Sequence, residues 1–199
     1  MPLLITDNGR GNRVSIPEAV RLQLQGSIVM EGDGNRVSFE SGTTGHHLSI
    51  QLGHSCEVAI EPGCRLGILQ VFAASSSLVR IGEQTAFNGQ VRLLSHEPTS
   101  LTIGAGCLLA GGVIVTTSDM HSIIDCITGS RVNPARDVTL GNHVWIGHQA
   151  LLLKGAKVGE GSIVGACALV SREIPANSLA VGVPARVIRK GVTWRHDLI

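Results

Sequence analysis

Six aliphatic residues fall at strict six-residue intervals in the C-terminal half of the chain: Leu140, Ile146, Leu152, Val158, Val164 and Val170. Gly follows at positions 141, 147, 159 and 165. Hydrophobic residues make up 43% of the sequence, so a chance run of six at one fixed register has a frequency under about 1%. An aliphatic-Gly hexapeptide is one short strand plus its corner, the unit of a parallel β-helix. Three such units close a coil of about 18 residues, and the aliphatic positions then stack at roughly 4.8 Å, the ordinary strand spacing. Val144, Ala150, Ala156, Ser162 and Ala168, four places further on in each unit, are small, as a narrow prism requires where side chains turn toward its axis.

The same register continues upstream. Ile81, Phe87 and Leu93 form one triplet, and Ile103, Leu109 and Val115 form the next. A slower repeat of aliphatic, small or polar, apolar residues runs through Val14-Ser-Ile16, Val37-Ser-Phe39, Val58-Ala-Ile60, Val79-Arg-Ile81, Leu101-Thr-Ile103 and Val138-Thr-Leu140. Its spacings are 23, 21, 21, 22 and 37 residues. Residues 9–16 are echoed by 32–39, which carries the repeat almost to the first residue. The expected organisation is one all-β solenoid over 1–190, with irregular coils at 1–80, regular coils at 81–190, a loop inserted at 116–137 and a tail at 191–199. Residues 18–25 also admit a short helix, but the alternation of Leu22 and Leu24 with Gln favours a strand.

Composition narrows the function. The chain has 25 Gly, no Tyr and a formal net charge of +1, with charges scattered along it. It therefore lacks the basic stripe that nucleic acid requires, and no nucleic-acid partner is expected. No stretch approaches the 18 apolar residues of a membrane span, and the N-terminus lacks a basic start followed by an apolar run, so a soluble, cytoplasmic protein is expected. Five Cys without a Cys-x-x-Cys pair suit a reducing compartment and receive no chemical role.

Function in a solenoid is expected where the repeat breaks. The widest break lies between Val115 and Leu140, and its general-base candidate is His121, since an imidazole titrates near neutrality. Asp119, two residues before it, is placed to orient or charge-balance the ring.

The segments Asp119-Met-His-Ser-Ile123, Arg131-Val-Asn-Pro-Ala135, Gly141-Asn-His-Val-Trp-Ile-Gly147 and Val181-Gly-Val-Pro-Ala-Arg-Val-Ile188 together resemble the left-handed β-helix hexapeptide acyltransferases, in particular bacterial O-acetyltransferases of capsular or lipopolysaccharide sugars. The resemblance implies a left-handed winding, which periodicity alone does not supply and which departs from the usual crossover rule. It implies a homotrimer with active sites between subunits, acetyl-CoA as co-substrate, a carbohydrate acceptor and no metal. It assigns His121 as catalytic base and Trp145 to the reaction centre. Asn88, His96 and Asp119 fall to the acceptor, and His148, Ala166, Ser171, Arg172, Arg186 and Arg189 to the cofactor. The related enzymes commonly carry Ser in place of His148, and Thr-Lys in place of Ser171-Arg172.

The reaction so implied is direct transfer from the thioester to a sugar hydroxyl, with the oxyanion held by a backbone N–H. No Gly-x-Ser-x-Gly elbow is present, consistent with the absence of an acyl-enzyme. Alternatives remain: an N-acetyltransferase of an amino sugar nucleotide, a serine acetyltransferase, a non-catalytic scaffold, or a zinc protein of the γ-carbonic anhydrase type. The last shares the coil, and His143 and His148 stand five apart, but catalytic zinc requires three converging protein ligands. Trp194 in the tail is open to three readings: stacking on a sugar, stacking on adenine, or capping the last coil.

Overall fold

The computed structural model describes residues 2–199, and its strands wind into a three-faced parallel β-helix. The first face is an eight-stranded parallel ladder, from Arg13–Ser15 at the bottom to Glu173–Ile174 at the top. The other two faces share a 13-stranded sheet. In the upper coils it separates into a second face (Leu108–Ala110, Trp145–Ile146, Ile163–Val164, Ser178–Val181) and a third (Val113–Thr116, Leu151–Leu152, Leu169–Val170).

The repeat read from the sequence is the pairing register. Val14, Val37, Val58, Val79, Leu101 and Val138 stack one on the next along the first face. Ile81 pairs with Ile103, Phe87 with Leu109 and Leu93 with Val115, one pair on each face. Higher up, Leu140 pairs with Val158, Ile146 with Val164 and Leu152 with Val170. All of these except the partly buried Val14 are buried in one continuous core, as are the small residues Val144, Ala150, Ala156, Ser162 and Ala168.

The signature glycines answer a different need from the one that turn chemistry suggests. A Cβ on Gly147 would stand 2.5 Å from the Ala166 nitrogen in the coil above, so close backbone approach excludes any side chain. The left-handed residue of each such corner comes two places later and is not always glycine: His143, Gln149 and Cys167 take φ of 53°, 56° and 57°. In the irregular half, strands of 11 residues such as Thr44–His54 and Arg65–Ser75 bend round the corner between the second and third faces without a break. In the neighbouring strand Leu24–Met30, Gly26 sits at the same corner: its φ is +124°, and a Cβ there would meet the Leu48 carbonyl oxygen at 2.0 Å.

Corner polar groups are satisfied coil to coil. The Asn35 side chain donates to the Gly32 and Gly53 carbonyls and accepts from the Cys56 amide, while its own amide donates to Asn12 Oδ1. Thr85, Cys64 and Cys107 donate to the carbonyls of Gly104, Gly82 and Gly141 respectively, giving two of the buried cysteines a packing role. Burial pushes the Cys64 thiol up to about 11, far from reactivity.

Two boundaries differ from the sequence reading. Residues Glu18–Arg21 form one helical turn, and the strand begins only at Leu24. Pro17 fixes the entry, Glu18 and Arg21 complement the turn's dipole, and Val20 plugs the lower end of the core while Leu22 is 76% exposed. At the other end the parallel winding stops at Val181 rather than continuing to 190, because Arg186–Lys190 turns back antiparallel on Ser178–Val181. That reversal follows Pro184, which cannot donate to a further ladder.

Leu152→Ala should lower unfolding free energy by about 2–5 kcal/mol, whereas Leu22→Ala should change it by under about 0.5 kcal/mol. Denaturant melts of the two variants check the burial assignment.

Candidate active site

The 117–137 loop leaves the corner between the third and first faces, and a network of polar residues pins it there. Arg131 makes a bidentate pair with Glu97 at 2.6 and 2.8 Å, and Ser118 Oγ donates to the same carboxylate at 2.5 Å. Arg131 and Ser118 together pull the Glu97 carboxyl down to about 2. Asn133, only 6% exposed, is the hub of the loop. Its Nδ2 donates to Asp119 Oδ2 and to the His121 carbonyl, each at 2.8 Å, and its Oδ1 accepts from the Ile123 amide at 2.6 Å. Lys154 Nζ closes the circuit onto Asp119 Oδ2 at 2.5 Å.

These bonds fix the backbone of His121 while its exposed ring is left outside the network. Here the structure corrects one expectation. The Asp119 side chain is held by Lys154 and then by Asn133, which keep its carboxyl low, so it does not orient the His121 imidazole.

Ser118, Asp119 and Met120 overhang a cleft of about 740 Å³ on the third face. Its lower wall carries the polar Ser49, Gln51, Gln70 and Arg92 with Phe72 and Leu94 between them, and its upper wall is largely apolar, with Ile114, Leu151 and Leu153 beside Thr116. His96 lines the same cleft and packs its ring on Phe72 at 4.7 Å between centroids; burial draws its pKa down against the opposing pull of Glu97. His96 and Asp119, both assigned to the acceptor by resemblance, thus share one cavity.

The remaining assigned residues lie elsewhere on the chain. Asn88, His148 and Ala166 are exposed along the corner between the second and third faces, with His148 Nδ1 3.7 Å from the space beside Gly111 and the Asn88 carbonyl 3.1 Å from it. Ser171, Arg172 and Arg186 surround a smaller pocket of about 180 Å³ near the top. Arg189 sits opposite Leu179 in the terminal hairpin. Among the described residues, no acidic side chain forms an ion pair with Arg172, Arg186 or Arg189. Trp145, 39% exposed, stands on the second face, whereas the loop bearing His121 departs from the opposite corner.

Sequence reading missed Glu97, Asn133 and Lys154 because their partners are distant in sequence: Glu97 and Arg131 are separated by 34 residues, and Lys154 and Asp119 by 35. The segment Arg131-Val-Asn-Pro-Ala135 carried the only local trace of the network. Among the described residues no three His, Cys, Asp or Glu side chains converge as a metal site, and no helix is long and apolar enough to cross a membrane.

Because the folded-state pKa of Glu97 lies below its ordinary 4.5, its stabilising contribution is present above about 4.5 and lost as pH falls toward 2. Glu97→Gln should make proteolytic nicking within 117–137 severalfold faster at pH 7, and the two proteins should converge as pH drops through that window. Equal nicking rates at pH 7 would contradict the anchoring role.

Comparison with known proteins adds four findings. The model of the bacterial transferase hexapeptide (six repeats) matches residues 137–172. A polysialic acid O-acetyltransferase of Escherichia coli O1:K1 / APEC is 28% identical over 62% of this chain, which spans only 40% of that protein, well under two thirds of its length. WbbJ of Escherichia coli (strain K12), named for lipopolysaccharide biosynthesis O-acetyl transfer, is 31% identical over 65% of this chain and 67% of its own. Among solved structures, the polySia-specific acetyltransferase NeuO superposes with a TM-score of 0.78 and 25% identity, covering 98% of this chain and 90% of its own. Six-residue register, coil geometry and relatives agree, and the chain belongs to the hexapeptide-repeat acyltransferase family of left-handed β-helices.

Proposed function

We propose that the chain is an acetyl-CoA-dependent O-acetyltransferase, transferring an acetyl group to a hydroxyl of a bacterial surface polysaccharide of capsule, O-antigen or sialic acid type. The observation that carries this reading is the pinned loop. It adjoins the cleft through Asp119 and Met120 and presents an exposed imidazole on the next residue, the arrangement a general base needs. The names of the relatives, one a polysialic acid O-acetyltransferase and one an O-acetyl transferase of lipopolysaccharide biosynthesis, support the acceptor class.

In this reading the polar side chains of the cleft's lower wall receive the glycan, and the largely apolar upper wall borders the pantetheine arm. Arg172, Arg186 and Arg189, lacking acidic partners, are available for the cofactor phosphates. His121 takes the proton of the acceptor hydroxyl as its oxygen attacks the thioester carbonyl. The tetrahedral oxyanion is held by a backbone N–H and collapses, the C–S bond breaks, and the imidazolium returns the proton to the leaving thiolate. Trp145 walls the reaction centre.

Within one chain Trp145 and the His121 loop lie on separate faces, so the reading includes a homotrimer in which the loop of one subunit reaches the second face of its neighbour. Cytoplasmic location follows from the need for acetyl-CoA.

The test is to incubate the protein with acetyl-CoA and a panel of bacterial glycans, following thiol release and locating the acetyl group by mass spectrometry. His121→Ala should lower turnover by about 10²–10⁴ while CoA still raises the melting temperature. Near-normal turnover in that variant, or no thiol release with any glycan, would overturn the reading.

A further inference from the structure

The C-terminal tail does not end at the top of the solenoid. It runs back down the corner between the first and second faces, against the direction of winding. The Val192 amide donates to the Asn177 carbonyl, Thr193 lies beside Gly161, and Trp194 reaches His143. Positions 177, 161 and 143 are successive rungs of one corner, so the tail descends about one rung per residue.

At its lowest point the tail is latched from both sides. Trp194 Nε1 donates to the His143 carbonyl at 2.8 Å, and His143 Nε2 lies 2.9 Å from the Trp194 carbonyl, to which it donates. The two rings stack at 4.5 Å and 9°, and His196 meets the indole edge-on at 4.9 Å. Trp194 is left 8% exposed. An indole with its N–H bonded and one face covered by His143 is held against the side of the solenoid, two rungs below the top of that corner, instead of capping the last coil.

The latch lies beside a residue of consequence. Trp194 packs on Trp145 at 6.1 Å between centroids with the rings tilted by 47°. Trp145 is otherwise an outward-facing side chain on a short strand, between Leu108 below and Ile163 above. A single indole in that setting has several staggered rotamers open to it, and Trp194 is the aromatic ring packed beside it.

We propose that the tail, through Trp194 latched on His143, is a positioning device that fixes the rotamer of Trp145. Trp194 touches neither substrate nor cofactor; it acts through Trp145. The proposal rests on the reading of Trp145 as part of the reaction centre for its catalytic consequence, but not for its structural content.

The chain has two Trp and no Tyr, which makes the structural content directly measurable. In Trp194→Phe, and equally in Trp194→Ala, Trp145 is the sole strong fluorophore. Phe retains a stacking ring but loses the hydrogen bond; Ala loses both. Acrylamide quenching and anisotropy of Trp145 should stay near a packed value in Trp194→Phe and move toward a free indole in Trp194→Ala. With acetyl-CoA and polysialic acid oligomers, or the glycan that the panel identifies, Trp194→Ala should lower kcat about tenfold or more. KM for acetyl-CoA should change less, and Trp194→Phe should recover most of the loss.

Equal quenching in the two variants would overturn the proposal. So would a fall in kcat that follows loss of the circular dichroism of the fold instead of the change in Trp145. Trp145→Ala run in parallel separates the two ideas: full turnover in that variant removes the role of Trp145 in the reaction, while the quenching comparison still decides whether the tail fixes its ring.

Discussion

Everything in this molecule depends on the parallel ladder between successive coils. Each rung gives its backbone N–H and C=O groups to the rungs above and below, and each aliphatic side chain stacks on one of its own kind, as in the first-face column from Val14 through Val138. The ladder is intolerant at its corners, where backbones approach so closely that only Gly147 and its equivalents fit. It is tolerant of insertion, because a loop that leaves one corner and returns to it disturbs no pairing. Thr102 pairs with Thr139 in the same register as it would without the long excursion between them. A rigid scaffold with free corners is a natural base for a loop whose backbone is held in place.

The two excursions from the winding are built alike. The 117–137 loop is closed by a buried hub, Asn133, and by ion pairs at its rim, so that much of the backbone hydrogen bonding a strand would supply comes instead from side chains. The tail is closed by a reciprocal pair of hydrogen bonds and a stacked indole. Each leaves one exposed ring, His121 or Trp145, beside an ordered neighbour. Exposed ion pairs contribute little to global stability. Their value here is local, in confining a segment that has no ladder of its own.

Most of the winding was legible in the sequence because a solenoid writes its contacts as a period. From Val37 upward the columns read from the six-residue and slower repeats are columns of the structure, and Val14 joins them at the bottom. What escaped was aperiodic. One helical turn at Glu18–Arg21 was hidden because Leu22 and Leu24 alternate like strand residues, although Leu22 faces solvent. Asp119 was read as the partner of its near neighbour His121, whereas its bonds go to Lys154 and Asn133, which no local pattern brings near. The fixed place of Trp194 depends on the tail reversing over Asn177 and Gly161, a path that sequence spacing does not encode.

Trp145 stands on the second face and the His121 loop leaves the opposite corner, so the proposed reaction requires a centre formed between chains. Mixed oligomers of His121→Ala and Trp145→Ala, refolded together from inactive parents, measure this directly. If neighbouring subunits each supply one residue, random association in a cyclic assembly restores about a quarter of the wild-type sites. Activity no higher than that of either parent, in mixtures shown to have exchanged subunits, would contradict the account.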